Sequence, residues 1–149
     1  MIKGRYRINI ANEIMIDSKH FEKYVKEVFS FLELEFNLIL DKIIVNGNAL
    51  YEVTYVDKSK IISISYENIE DYFQVIIFKL KKGQLPDYDD KANTIHLSVL
   101  RNELLTQIDK KEFQNNNLYF KNKKAESGIE KMLLKAAKDL RICLKYYKD

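Results

Sequence analysis

The sequence predicts an α+β domain made of an N-terminal helix, a four-stranded antiparallel meander and two C-terminal helices packed on the sheet. Three observations carry that prediction. Between Lys60 and Tyr66, apolar Ile62, Ile64 and Tyr66 alternate with Ser63 and Ser65, which is the period of a strand. From Tyr72 to Leu80 the alternation returns, with Phe73, Val75 and Ile77 on one face and Tyr72, Gln74, Ile76, Phe78 and Leu80 on the other. A strand whose middle is apolar on both sides is expected inside a sheet with both faces shielded. Finally, Ser127 followed three residues later by Glu130 is a capping box, and it opens the stripe Leu133, Ala136, Ala137, Leu140, Leu144 and Tyr147 on one helix face.

Taken in order, residues 1–16 carry Ile8, Ile10, Ile14 and Ile16 at strand spacing, interrupted by the poor strand formers Ala11, Asn12 and Glu13. They read as a short edge strand or an irregular lead-in. Asp17 and Ser18 are N-cap types, and Phe21, Tyr24, Val25, Val28 and Leu32 follow on one helix face. This gives a helix of about sixteen residues, ending between Glu33 and Phe36. Leu38 to Val45 is the first strand, and Asn46, Gly47 and Asn48 predict a type I′ hairpin. Leu50 to Val56 returns, with Tyr51, Val53 and Tyr55 on one face, and Asp57 to Ser59 turns it into the third strand. Because successive turns of a meander alternate ends, Glu67, Glu70 and Asp71 should give an acidic rim to the end that holds the Asn46 hairpin.

Beyond the sheet, KKGQLPDYDDKANT holds Gly83, the single proline Pro86 and three aspartates, so it reads as a surface loop. Ile95 and Leu97 then suggest a short extended piece, and Ser98 a cap for a helix with Leu97, Leu100, Leu104, Leu105 and Ile108 in one stripe. Asn115, Asn116 and Asn117 predict a break, after which Tyr119 and Phe120 tuck against the core.

At 149 residues and 46% hydrophobic, the chain suits one domain with a real core. Its net charge of +3 gives no general pull toward nucleic acid or acidic lipid. The distribution is uneven: residues 41–90 carry six basic and nine acidic side chains, and residues 91–149 thirteen basic and seven acidic. The one cysteine, Cys143, falls in a helical pattern and reads as a small packed residue, which fits a reducing cytoplasm. No apolar stretch approaches the roughly 20 residues of a membrane span, and MIKGRYRINI lacks the apolar region of a signal peptide. A cytoplasmic protein is expected, with no membrane partner.

Candidate chemistry is sparse. Asp87, Asp89 and Asp90 form the densest carboxylate cluster, but an EF-hand loop counted from Asp87 would need Gly and Glu where Ala92 and Ser98 stand, so no metal site is assigned. His20 and His96 are the only histidines. His96 beside the Asp87–Asp90 loop is the one acid/base constellation available, and it defines an alternative enzymatic or small-ligand reading. With four glycines, no phosphate-cradling loop and no nucleophile elbow, a cofactor is not expected. The lysines of the C-terminal third, Lys121, Lys123 and Lys124 and those along the last helix, are interleaved with Tyr119, Phe120, Tyr146 and Tyr147 in the composition of a single-strand nucleic-acid surface, yet arginine is scarce there and a solvated helix face explains them better.

The order helix, hairpin, then ISISYENIEDYFQVIIFKL resembles, over residues 18–108, the organisation of small single-domain α+β proteins in bacterial toxin-immunity and uncharacterised families. That resemblance implies a non-catalytic protein that binds another protein, such as a toxin. The surface expected to do so combines Glu67, Glu70 and Asp71 with Tyr51, Tyr55 and Tyr72, since tyrosine is enriched in binding hot spots. A homodimer is compatible with the same reading.

Overall fold

The computed structural model describes residues 16–87 and 89–147. The Asp17 carboxylate accepts the backbone N–H of His20 at 2.8 Å, and that cap starts helix α1, Ser18–Val28. The expected sixteen-residue helix is interrupted at Phe29 and Ser30 and resumes as the single turn α2, Phe31–Leu34. The break has a packing reason. Phe29 and Phe31 are both buried, with ring centroids 6.1 Å apart, and residues two apart on a continuous helix cannot face the same core.

Five strands follow: β1 Ile39–Asn46, β2 Leu50–Val56, β3 Lys60–Glu67, β4 Tyr72–Lys79 and β5 Thr94–His96. They form one antiparallel sheet in the order β1-β2-β3-β4-β5. The four-stranded meander is present with its tight turns, and β5 extends it where the sequence suggested only a short extended piece. Gly47 stands at φ +58 in the first hairpin, but neither Asn46 nor Asn48 has positive φ. That pattern departs from the expected type I′ turn, and three residues rather than two separate the paired Asn46 and Leu50. A bulge at Asp41 doubles two β1 residues against Thr54 of β2, whose hydroxyl accepts the Lys42 N–H at 3.0 Å.

Helices α3 (Leu97–Leu104), α4 (Lys110–Tyr119) and α5 (Gly128–Tyr146) complete the chain, one more than the two expected after the sheet. His96, not Ser98, is the N-cap of α3. The asparagine run lies inside α4, because Asn116 is buried, donating to the Lys138 carbonyl at 2.9 Å and accepting from Arg141 at 2.9 Å. Tertiary hydrogen bonds there override the turn preference of asparagine. The capping box of α5 is formed as read: Glu130 N–H donates to Ser127 Oγ at 3.1 Å, and the Glu130 carboxylate accepts the Ser127 N–H at 3.4 Å.

The described helices cover one face of the sheet. Tyr51, Val53, Tyr55, Ile62, Ile64, Tyr66, Val75 and Ile77 join α1, α3 and α5 residues in a single core cluster. The other face contributes nothing to that cluster. Its cross-strand row Ile39, Val56, Ile61 and Phe78 is half-buried or exposed, and no described helix packs on it. At the centre of β4, Val75 and Ile77 are buried on the helix side and Ile76, like its cross-strand neighbour Ser63, on the other, as expected of a doubly apolar strand, whereas Phe78 is half-buried. Among the described residues no helix is long and apolar enough to cross a membrane. The reading of residues 1–16 lies, except for Ile16, outside the described part.

Candidate functional site

Two turns meet at one end of the sheet, as the meander requires. Asn68 N–H donates to the Ala49 carbonyl at 3.0 Å, and its side-chain amide donates to the Asn48 carbonyl at 2.6 Å, which ties the β3–β4 turn to the β1–β2 hairpin. Tyr66 O–H donates to Asp71 Oδ1 at 2.6 Å from beneath the same turn. Burial, with the neighbouring Asp71 carboxylate second, pushes the Tyr66 phenol upward, so it stays a donor at any ordinary pH. Asp71 stands at φ +49, a conformation that these bonds hold in place. The result is a fixed turn on which Ile69 is 79% exposed and Tyr72 50% exposed, with Glu67, Glu70 and Asp71 around them.

Tyr51 and Tyr55 do not belong to this surface. Tyr51 is 2% exposed, donates to the Ile16 carbonyl at 2.8 Å and packs 5.5 Å from the Phe21 ring; Tyr55 is fully buried. Their alternation on β2 was readable, but which face the helices would take was not, and they face the core. Nothing in composition marked Ile69, which sits between Asn68 and Glu70 in the turn.

The alternative site comes apart. Asp90 pairs with Lys81 at 2.9 Å and with the Asn93 side chain at 2.8 Å, and the Lys81 hydrogen bond first of all holds its carboxyl below the usual range. Asp87 and Asp89 are exposed. His96 is exposed on the open face, opposite Ile76, and borders a groove of about 300 Å³ between β4 and α5 whose carboxylate is Asp139. That carboxylate is already engaged by Arg101 at 3.1 Å and Lys135 at 2.9 Å. No loop aspartate lines this groove, and no three potential metal ligands cluster among the described residues.

One acid/base pair was out of reach of spacing rules. His20 Nε2 lies 2.7 Å from Glu130 Oε2, 110 residues away in sequence, in a cleft of about 260 Å³ also lined by Tyr24 and Lys124. Glu130 is occupied there as a helix cap, accepting from Glu126 N–H at 2.8 Å as well. The pair fastens α1 to the start of α5. The basic last helix also loses its reader: Arg141 is turned inward to Glu35 and stacked 3.8 Å from the Tyr119 ring, and Phe120 is buried.

No family model, curated protein or solved structure matches this chain.

Proposed function

We propose that the chain is a non-catalytic protein-binding domain, of the toxin-immunity kind its organisation resembles, that holds its partner at the β3–β4 end of the sheet. One observation carries this reading: a turn locked by the Tyr66–Asp71 and Asn68 hydrogen bonds displays Ile69 and Tyr72 to solvent on the same short segment as Glu67, Glu70 and Asp71. A large apolar side chain presented on a rigid element is the anatomy of a hot spot, since little conformational freedom is lost when it is covered. Glu67, Glu70 and Asp71 around it favour a partner with a basic rim about an apolar pocket, and speed the encounter more than they deepen it. Asp139, the carboxylate lining the groove beside His96, is engaged by Arg101 and Lys135.

Co-purification from the native lysate tests this, comparing the wild type with the double variant Ile69→Lys, Tyr72→Ala. The wild type should retain a partner that the variant loses, and added salt should slow association of the purified pair. A variant that holds the same partner as firmly would refute the assignment.

A further inference from the structure

The β1 edge of the sheet points to a second site, independent of the turn. Ile39, Ile43, Ile44 and Val45 are 64%, 38%, 40% and 48% exposed, so this strand shows branched apolar side chains on both faces. Edge strands are ordinarily kept short, charged or covered. Lys42 N–H and the Asn46 carbonyl both point toward β2, the first to Thr54 Oγ1 and the second to Ala49 N–H. In an antiparallel strand the backbone groups alternate sides, so those of Ile43 and Val45 point away from β2. Among the described residues no strand pairs with that outer edge.

We propose that β1 pairs antiparallel with β1 of a second copy of this chain, in the register that sets Ile44 opposite Ile44 across a two-fold axis. The choice of occupant follows from self-complementarity. In this register Ile43 faces the copy's Val45 with outward backbone groups on both, giving a hydrogen-bonded pair on each side of the axis. Both residues lie on the helix side of the sheet, since they oppose Val53 and Tyr51 of β2. Ile44 meets its own copy on the open face, where it already opposes Glu52. Lys42 falls opposite the neutral Asn46, and Asp41 opposite Gly47, so no like charges confront each other. The Asp41 bulge at one end and the Gly47 turn at the other confine the ladder to five residues, 42–46. A two-fold contact of this kind is closed, because each copy uses its single β1 edge. The dimer would carry one continuous sheet with its open face doubled.

Sedimentation and light scattering on the purified chain give the first reading. The wild type should approach twice the 17.7 kDa monomer mass as concentration rises, and Ile44→Lys should remain monomeric while keeping its circular dichroism. Ile44 lies on the face without described helices, so its replacement spares the core. The register is read by Ile44→Cys: a non-hydrogen-bonded antiparallel pair brings Cα atoms to about 4.5 Å, within disulfide reach. Mild oxidation should convert it to a covalent dimer. Ile39→Cys, more exposed but opposite Ala49 in this register, should not couple to its copy. A wild type that stays monomeric at the highest soluble concentration would overturn the proposal. So would a dimer indifferent to Ile44→Lys, or equal coupling at both cysteines. Because Ile69 and Tyr72 take no part, the outcome is separate from that for the turn.

Discussion

Arg141 shows how much one side chain can decide. Its guanidinium donates to both Glu35 oxygens at 2.6 and 2.8 Å and to Asn116 Oδ1 at 2.9 Å, joining α5 to the chain after α2 and to α4. Those hydrogen bonds, above all, hold the Glu35 carboxyl below its ordinary value of 4.5. Folded Glu35 thus binds its proton more weakly than unfolded Glu35, so the pair's contribution is complete above that value and is lost as pH falls through the folded one. Arg141→Met should cost about 2 kcal/mol, a buried-pair figure lowered because the Glu35 side chain is partly solvated. It should also flatten the loss of stability as pH falls below the ordinary Glu value of 4.5, followed by urea unfolding at each pH. An unchanged acid limb would mean that the pair contributes nothing. Two tyrosines give a sharper contrast. The Tyr55 hydroxyl is buried without a hydrogen-bond partner among the described residues, whereas Tyr66 donates to Asp71. Tyr55→Phe should leave the urea midpoint unchanged or raise it, while Tyr66→Phe should cost about 2 kcal/mol, the worth of a bond to a charged acceptor.

At the scale of elements, three of the five described helices start on a side-chain cap made by local residues, whereas α2 and α3 have none. Asp17 caps α1, Asp109 caps α4 by accepting Lys111 N–H at 3.1 Å, and Ser127 with Glu130 caps α5. Ser127→Ala should cost about 1 kcal/mol in thermal or urea unfolding, and the His20 contact should not rescue it, because that contact engages the other carboxylate oxygen. A loss well below this would show that α5 is held by packing alone. The same locality explains what was legible. Strand alternation, the Asn46–Gly47 hairpin and the capping box depend on neighbours within a few residues, so they could be read. The interruption at Phe29, the passage of α4 through three asparagines and the His20–Glu130 pair depend on partners brought in by the fold, and no spacing rule sees them. At the candidate site the carboxylates of the β3–β4 turn were readable from meander geometry. The exclusion of Tyr51 and Tyr55 required knowing which face the helices cover.

At the scale of the whole fold, the organising fact is a sheet whose described helices share one side. The doubly apolar β4 is buried on both faces at its centre, at Val75, Ile76 and Ile77, but periodicity measures hydrophobicity and does not say what lies above each face. Adjacent isoleucines on β3 separate the two situations. Ile62 is fully buried among Tyr55, Ile77 and the helices, whereas Ile61 lies half-buried on the open face between Val56 and Phe78. Removing the Ile62 side chain deletes transfer energy and leaves a cavity that close packing cannot refill, so Ile62→Ala should cost about 3–4 kcal/mol. Ile61→Ala should cost about 1 kcal/mol, the scale of cross-strand contacts without a second layer. Urea unfolding of the two variants, compared at low protein concentration so that self-association does not enter, reads the difference directly. Equal costs would mean that the open face is roofed within the monomer; a threefold gap would mean that the free chain leaves this apolar row to solvent, available to whatever it binds.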